Sequence, residues 1–574
     1  MIVRVKPIYL ITLCILYFIW SCQQKEKADL LIHNGPIYSV DDSNVKVEAV
    51  AVKAGRVWKV GKYEDMVKYL GENTKLIDLN GKTMFPGFIE GHAHIMGIGA
   101  NLMNLDLMGT QSYLEVVSMV AAKAKTLPEG NWIIGRGWHQ DKWNSESERT
   151  FKGLPSNDLL NDLVPNHPVY LTHASGHLGL VNNKALKILE IDDQTVDPAG
   201  GEIFRGFDGK PTGILNETAH TNAQALIPQP SEQWLEKSLK KSIDHILANG
   251  ITSFHEAGSG SSWVNLYHKF LGNDELKIRL YVMLSGDDED LLANYFANGI
   301  FIDSLHRLTI RSVKLYADGA LGSRGAWLLE EYSDAPGKFG HNVRDIEKLN
   351  KLAGEAIKAG FQVCTHAIGD RGNREVLDMY TRVFKAFPDK KANSRFRIEH
   401  AQHISKEDLI RFKELGVIPA MQSIHLASDR HWAIDRLGKD RIKEGAYVWK
   451  KLLDQGIPIV NGSDAPVESI NPLASFYVAV TRKTLRGTPE GGYESDQRMS
   501  RMQALKSYTI DAAYGSFEEK IKGSIEVGKL ADFTILDKDI MSIEEDEILN
   551  TRVEMTIVGG KVLYKRKHKK FSND

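Results

Sequence analysis

The sequence contains two histidines, His92 and His94, separated by one residue directly after a predicted β-strand. Residues at positions i and i+2 of a strand project to the same face, so the two imidazoles can converge on one cation. Imidazole is a good ligand for zinc and related metals. A His-x-His pair alone is a weak signal, because two unrelated histidines give the same pattern.

Four further polar side chains stand at or near the ends of predicted strands. His366 and His400 each end a strand, Asp464 follows another, and Lys314 lies inside an apolar one. A buried lysine is costly unless it is neutralised or paired. Each residue alone has an ordinary structural explanation. Their shared position at strand ends points to one metal-binding site.

The segments that carry these residues alternate between strand-like and helix-like patterns, as consecutive βα units do. Eight strand candidates match the α/β class of fold called the (β/α)8 TIM barrel, whose active site lies at the C-terminal ends of its strands. Residues 100–234, between the first two candidates, are interpreted as an insertion over the barrel mouth. The candidates are Thr83–Ile89, Gly250–His255, Lys277–Leu284, Arg311–Tyr316, Gln362–His366, Arg395–His400, Val417–Met421 and Pro458–Gly462.

Both ends of the chain carry short β segments outside this region. Residues 29–84 include Ala49–Val57, which is typical of a hairpin that turns at Gly55. Residues 516–567 have the same alternating character. We predict that the two blocks form one small β-sandwich beside the barrel, which occupies residues 85–515.

The N-terminus resembles an export signal. Arg4 and Lys6 precede an apolar run, Ile8–Trp20, that is too short for a comfortable membrane span. The following Ser21 and Cys22 are similar to a bacterial lipoprotein signal, in which Cys22 becomes the lipidated first residue. The alternative is an uncleaved anchor. We expect residues 1–22 to be this signal, and an exported protein held on a bacterial envelope membrane by its lipid alone.

Composition restricts the partners. The net charge is -2 and the pI about 6.8. These values argue against a nucleic-acid partner, because phosphate binding needs a concentrated basic surface. A small molecule is the expected substrate. A homodimer is compatible with a barrel of this kind, but no sequence feature identifies an interface.

Six motifs resemble the amidohydrolase superfamily, and above all its branch containing the N-substituted formamide deformylases. The resemblance runs from about Asp29 to the C-terminus. The pair Glu90-Gly91 departs from it, since a related enzyme often has Asp and Ser there. The motifs are Phe85–His94, Val313–Arg324, Thr365–Gly372, Ile398–Gln402, Gly462–Pro466 and Gly528–Phe533.

The resemblance implies a TIM barrel with a flanking β-sandwich and a centre of one or two divalent metal ions, for which zinc is expected. It also implies that Lys314 can be carbamylated, which would turn the buried cation into a carboxylate-like bridge between two metals. Besides Lys314, the implied ligands are His92, His94, His366, His400 and Asp464.

The expected reaction is hydrolysis of a non-peptide carbon–nitrogen bond, in an amide or formamide, by metal-activated water. Asp464 is expected to take the proton of the water and deliver it to the leaving nitrogen. His173 or His177 is a candidate donor to the developing oxyanion. The candidate substrate-binding residues are Trp138, Asp141, Asp318 and Arg324.

Three other functions are considered. The same centre could hydrolyse an ester or lactone, which differs only in the leaving group. It could also support an isomerase or decarboxylase. A non-catalytic lipoprotein that binds small molecules is disfavoured, because a degenerate member of the superfamily should have lost metal ligands.

Overall fold

Eight parallel strands form the centre of the computed structural model, which describes residues 26–567 apart from 44, 141–142, 144–149, 152, 174–175, 177 and 229. They follow one another in chain order in a nearly closed sheet. The short strand Phe301–Ile302 adds to the fourth in antiparallel orientation. The first to eighth barrel strands are Phe88–Ala93, Ile251–Ser259, Arg279–Ser285, Leu308–Tyr316, Gln362–Ala367, Arg397–His400, Ile418–Met421 and Val460–Asn461.

The predicted (β/α)8 barrel is therefore confirmed, with one correction at its first strand. Thr83–Ile89 was predicted as one strand, but the chain changes sheets at Gly87: Thr83–Pro86 pairs outside the barrel and Phe88–Ala93 inside it. A Cβ atom at Gly87 would lie 2.1 Å from Thr252 Oγ1. Only glycine allows the second barrel strand to approach this closely.

The first and eighth strands meet without a regular ladder between them. A Cβ atom at Gly91 would lie 2.4 Å from the carbonyl oxygen of Asn461, so the missing side chain permits the close approach. The Asp464 amide then donates a 2.8 Å hydrogen bond to the His92 carbonyl. This contact joins the end of the barrel to its beginning at the C-terminal face.

Helices connect the barrel strands and cover the outside of the sheet. Their buried sides are apolar at helical spacing; the helix Asp370–Ala386, for example, buries Val376, Leu377, Tyr380 and Val383. The helices that follow the second barrel strand are Ser261–Gly272, Glu289–Asn298, Ile346–Ala359, Asp370–Ala386, Pro388–Lys391, Leu409–Leu415, Ser423–Gly445, Trp449–Asp454, Pro472–Thr481, Arg501–Ser507 and Ile510–Gly515, with 3-10 turns at Ser495–Gln497 and Glu545–Asn550.

The two ends of the described chain share a second sheet. Thr83–Pro86 pairs antiparallel with Phe533–Leu536, which joins N-terminal and C-terminal segments. The predicted hairpin is present, and its turn residues Ala54 and Gly55 have φ values of 48° and 74°, as a two-residue hairpin turn requires. The strands are Leu30–Tyr38, Lys46–Lys53, Arg56–Gly61, Lys75–Asp78, Thr83–Pro86, Phe533–Leu536, Val553–Val558 and Lys561–Lys565, with helical turns at Tyr63–Met66 and Val67–Tyr69.

A buried ion pair links this sheet to the barrel. Arg279 begins the third barrel strand, and its guanidinium donates to both carboxylate oxygens of Asp532, at 2.5 and 2.9 Å. Asp532 directly precedes Phe533–Leu536 of the terminal sheet. Both side chains are at most 5% exposed.

The chain divides into two compact units. The first, described so far, contains the residues up to Ala93 and from Asp244 onward, and the second is His94–Ile243. The predicted insertion, about residues 100–234, falls within the second unit. The second unit has a six-stranded sheet and a separate two-stranded sheet. The strands of the larger sheet are Leu105–Asp106, Ile133–Trp138, Val169–His173, Leu178–Val181, Gly201–Arg205 and Pro211–Glu217, and those of the smaller sheet are Thr150–Phe151 and Leu154–Pro155. Its helices are Ile95–Met103, Tyr113–Ala124, Asp158–Leu163, Asn183–Ile188, Thr218–Ala225 and Glu232–Ala248, the last of which extends past its boundary.

Two sequence predictions lie outside this description. The signal segment, residues 1–22 with Cys22, precedes the first described residue. Asp141 and His177 also fall outside the described positions. Among the helices of the described chain, none combines the length and apolar character needed to span a membrane.

Candidate metal centre

The His-x-His pair and Asp464 come together at the C-terminal end of the first barrel strand. Potential ligand atoms of His92, His94 and Asp464 all lie within 4.8 Å of one another. His92 Nε2 is 3.6 Å from Asp464 Oδ1. Asp464 has a φ of 59°, a left-handed conformation that is uncommon for a non-glycine residue. Such conformations are concentrated at functional sites, where the surrounding structure compensates their cost.

Two further histidines pack against this group. The His400 ring meets the His92 ring edge-on at 4.8 Å between centroids, and the His366 ring at 4.4 Å. His400, the last residue of its strand, also has a left-handed φ, 73°. Burial holds the pKa values of His366 and His400 well below the usual range. Both imidazoles are therefore neutral, the form that binds metals.

Hydrogen bonds at Nδ1 leave Nε2 as the metal-facing atom of two histidines. His400 Nδ1 lies 2.8 Å from Gln422 Oε1, which can only accept, and His92 Nδ1 contacts Glu399 Oε2. Each Nδ1 atom therefore carries the ring proton in the neutral tautomer. The Nε2 atom of His366 makes no hydrogen bond to the described residues although it is buried.

Lys314 lies inside the barrel beside these rings. Its Nζ atom is 3.2 Å from His92 Nε2 and 5.1 Å from the centre of the Tyr316 ring. Lys314 is buried, and this burial lowers its pKa. A lysine that loses its charge more easily than usual avoids the cost of a buried cation. Lys314 thus lies next to a candidate ligand, and its own role as a ligand stays a prediction.

Sequence reasoning missed the carboxylate that contacts His92. Glu399 is fully buried and accepts two 2.8 Å hydrogen bonds from the guanidinium of Arg397. Burial alone would raise the pKa of Glu399, but the charges of Arg397 and His92 hold it well below its ordinary value. A parallel strand is buried on both faces, so two charges two residues apart must pair inside. That signal was present in the sequence Arg397-Ile398-Glu399-His400.

Glu90, at the departure from the family motif, fixes the loop that carries Asp464. Its carboxyl group accepts from the Ser463 amide at 2.8 Å, the Ser463 hydroxyl at 2.9 Å and the His92 amide at 3.1 Å. Burial raises the pKa of Glu90 to about 8. The longer side chain thus spans the gap between the first and eighth strands rather than binding a metal itself.

Asp318 holds together the loops after the fourth and fifth strands. It accepts hydrogen bonds from the amides of Trp327, Ile368 and Gly369, at 2.8 to 2.9 Å. One of its oxygens is also 3.5 Å from His366 Nε2. Burial raises the pKa of Asp318 to about 7. Most of its hydrogen-bonding capacity is used within the protein, which favours a positioning role over direct substrate contact.

The other candidate substrate residues occupy different surroundings. Arg324 makes a two-point ion pair with Asp334, at 3.1 and 2.8 Å. Trp138 is fully buried in the second unit, where its indole N–H donates to the Leu171 carbonyl at 2.9 Å and its ring contacts His173. These contacts favour a packing role for Trp138. The substrate contact of Arg324 and the oxyanion role of His173 stay predictions.

A second polar group beyond His400 was also absent from the sequence prediction. Gln402 donates from Nε2 to the Tyr447 hydroxyl at 2.6 Å and to Asp429 at 3.2 Å. The His425 ring lies parallel to the His400 ring at 6.3 Å. Gln402 ends the motif Ile398–Gln402, so its position two residues after a ligand was the available signal.

The donor set fits a divalent metal. Imidazole nitrogens of His92 and His94 and a carboxylate oxygen of Asp464 lie within 4.8 Å of one another, and His366 offers a buried nitrogen without another hydrogen-bond partner among the described residues. These are the ligand types of zinc sites in which some positions stay open for water or substrate. The carboxylate of Glu399 behind His92 is the outer contact that ligating histidines usually have.

In a comparison with known proteins, residues 75–564 match the amidohydrolase family. The chain belongs to the amidohydrolase family. This amidohydrolase is 34% identical over 549 residues to the protein LONG AFTER FAR-RED 3 of Arabidopsis thaliana, covering 94% of this chain and 92% of that protein. It is 26% identical over 552 residues to the N-substituted formamide deformylase of Arthrobacter pascens, covering 94% and 98%.

A solved structure gives the same result. The amidohydrolase superposes on an uncharacterized metal-dependent hydrolase from Pyrococcus horikoshii with a TM-score of 0.75 and 28% identity, over 90% of this chain and 99% of that one. The resemblance to the superfamily and to its formamide deformylase branch is therefore confirmed. The family supports hydrolase activity and metal binding.

Proposed function

We propose that this amidohydrolase cleaves a non-peptide carbon–nitrogen bond, in an amide or formamide, of a small substrate. The observation that carries the proposal is the convergence of His92, His94 and Asp464 within 4.8 Å, beside a buried Lys314. The similarity to an N-substituted formamide deformylase supports the choice of bond.

The site would hold one or two divalent ions, with zinc as the proposed metal. Carbamylated Lys314 would serve as a bridging ligand if two ions bind. The bound metal would supply Lewis acidity to a water molecule and to the substrate carbonyl. The proposed ligands are His92, His94, Lys314, His366, His400 and Asp464.

The chain's own residues supply proton transfer and orientation. Asp464 is partly accessible, with 11% of its side chain exposed, and faces His92 Nε2. From this position it can take a proton from water and hold it until the leaving nitrogen needs it. Glu399 and Gln422 hold His92 and His400 from behind, so that two ring orientations are set before substrate arrives.

Other groups of the chain complete the proposal. Substrate contact is proposed for Arg324 and, from the sequence alone, for Asp141. Asp318 and Trp138 were expected to contact substrate as well, but their contacts within the protein support a positioning role for Asp318 and a packing role for Trp138. An oxyanion donor is proposed from His173 or His177. Ester or lactone hydrolysis is the second candidate reaction, since the same centre can serve both leaving groups.

We further propose that the protein is exported and anchored to the bacterial envelope through a lipid on Cys22. The support is the sequence of residues 1–22 alone. In a bacterial host the wild-type protein should partition into the membrane fraction and incorporate labelled palmitate, while Cys22→Ser should do neither. Membrane retention of unlabelled Cys22→Ser would favour an uncleaved anchor instead.

The reaction is tested by metal analysis together with a substrate panel. The purified protein is reconstituted with Zn2+, dialysed, analysed for bound metal, and assayed with N-substituted formamides, N-acyl amines and matching esters. Amine and formate release from formamides would support the proposal. Turnover of esters alone would favour the second candidate. A folded protein that binds no metal would overturn both reactions.

A further inference from the structure

The buried pair of Arg397 and Glu399 lies directly behind His92. Arg397 donates from Nε to Glu399 Oε1 and from Nη2 to Oε2, both at 2.8 Å. The remaining donors of Arg397 reach the Gly91 carbonyl at 2.8 Å and His255 Nδ1 at 3.1 Å. The position of the Glu399 carboxylate is therefore fixed by a guanidinium that is itself held from several sides.

Glu399 Oε2 also contacts Nδ1 of His92. A carboxylate oxygen can only accept, so it selects the tautomer with the proton on Nδ1. The Nε2 lone pair is then directed toward the side where Lys314 Nζ lies at 3.2 Å and Asp464 Oδ1 at 3.6 Å. A negative charge behind the ring also makes Nε2 a stronger electron-pair donor.

We propose that Glu399, held by Arg397, is a positioning residue that orients His92 and raises its affinity for the metal. The proposal rests on the metal centre proposed above. It assigns Arg397 an indirect part: its donors both neutralise the buried carboxylate and tie the Gly91 backbone, one residue before His92. The motif Ile398–Gln402 thus supplies a candidate ligand, His400, and also Glu399, which supports the candidate ligand His92.

A purely structural role is the competing explanation, because buried ion pairs also hold barrels together. The protein contains a matched case in Arg279 and Asp532. That ion pair is also bidentate and buried, but it joins the third barrel strand to the terminal sheet. Removing either carboxylate should reduce stability, since a buried guanidinium loses its partner. Only removal of Glu399 should change metal binding.

The test compares the full-length wild-type protein with Glu399→Gln and Asp532→Asn. Zn2+ affinity is measured by competition with a chromophoric chelator, and folding by circular dichroism. Loss of an outer carboxylate typically weakens metal binding about 10- to 100-fold, which is the change expected for Glu399→Gln. Asp532→Asn should lower the melting temperature while its Zn2+ affinity stays within about threefold of wild type. The visible spectrum of the Co2+-loaded protein should change only in Glu399→Gln.

The outcomes separate this inference from the proposed function. A folded wild-type protein that binds no metal overturns the metal centre itself. Equal Zn2+ affinity and equal Co2+ spectra in wild type and Glu399→Gln overturn only the positioning role. If Glu399→Gln does not fold, Glu399→Asp decides, because it keeps the charge beside Arg397 but withdraws it from His92. Failure of both variants to fold with Zn2+ present would assign the pair a structural role and overturn the inference.

Discussion

Lys314 Nζ lies 3.2 Å from His92 Nε2, although both side chains are basic and buried. Burial lowers the pKa of Lys314, while burial and the charge of Lys314 together lower the pKa of His92 to about 4. Both shifts make the uncharged form more accessible than it is for an exposed lysine or histidine. A neutral imidazole can bind a metal, and a neutral amine can react with carbon dioxide.

Replacement of Lys314 by Ala should reduce the metal content by about one equivalent if a modified lysine bridges two ions. The amine would no longer be available for carbamylation, so added bicarbonate should raise metal loading in wild type but not in the variant. Elemental analysis after reconstitution measures both effects.

Lys522 provides the control for that experiment. Lys522 is also buried, and its Nζ atom lies 2.5 Å from Glu518 Oε2. Neither residue of this pair is a candidate metal ligand. Lys522→Ala should lower the melting temperature and leave the metal content unchanged. Equal metal content in wild type and Lys314→Ala would exclude a ligand role for Lys314.

Asp464→Asn should reduce kcat about 100- to 10,000-fold, the usual contribution of a positioned proton-transfer group. An amide side chain keeps an oxygen for a metal but cannot hold the proton. The loss should be larger for an amide than for an activated ester, because an amine leaving group needs protonation and a good alkoxide leaving group does not. Equal losses for both substrates would contradict the proton-delivery role.

Asp408→Asn is the control for this experiment. Asp408 is buried and paired with Arg374 at 2.8 Å, and its replacement should change stability alone.

The barrel and most of the candidate site could be predicted because strand-end polar residues are conspicuous in apolar surroundings. His366, His400 and Asp464 each interrupt or end an apolar run, and a parallel barrel brings all its strand ends to one face. The boundary at Gly87 could not be predicted in the same way. Apolar residues continue on both sides of Gly87, so hydrophobicity gives no sign that the chain leaves one sheet and enters another.

The supporting residues were harder to find for a different reason. Arg397 and Glu399 have the spacing of an ordinary surface ion pair on a strand, and only the burial of both strand faces reveals that they lie inside. Gln422 bonds His400 across 22 residues of sequence. Contacts of this kind depend on which strands are neighbours, which single-sequence patterns do not specify.

The ion pair between Arg279 and Asp532 predicts a pH dependence of stability. Burial would raise the pKa of Asp532, but the charge and hydrogen bonds of Arg279 lower it below its ordinary value. A carboxyl group whose pKa is lower in the folded state than in the unfolded state stabilises the folded protein. This stabilisation is complete at pH values above the unfolded-state pKa, and it is lost as the pH falls through the folded-state pKa. Asp532→Asn should therefore be less stable than wild type by about 3 to 5 kcal/mol at pH 7.

The difference in free energy of unfolding between wild type and Asp532→Asn should narrow as the pH is lowered from about 5 to 3. Over this range wild type loses the stabilisation by Asp532 that the variant already lacks. Urea unfolding at a series of pH values measures it, and effects of other titrating groups cancel in the comparison. A difference that stayed constant across this range would show that the charge of Asp532 does not stabilise the fold.

Gly87→Ala should destabilise the junction between the two sheets. The added Cβ would lie 2.1 Å from Oγ1, 2.4 Å from Cγ2 and 2.8 Å from Cβ of Thr252, so the first two barrel strands would have to separate. Overpacking of this kind costs about 1 to 3 kcal/mol.

A double-mutant cycle tests the steric explanation. Thr252→Ala removes the two nearest atoms, so the double variant should recover part of the lost stability, and the cycle measures this recovery as a coupling energy. Gly272→Ala is the matched control, since no atom lies within 4 Å of its added Cβ. Additive effects of Gly87→Ala and Thr252→Ala would contradict the steric explanation.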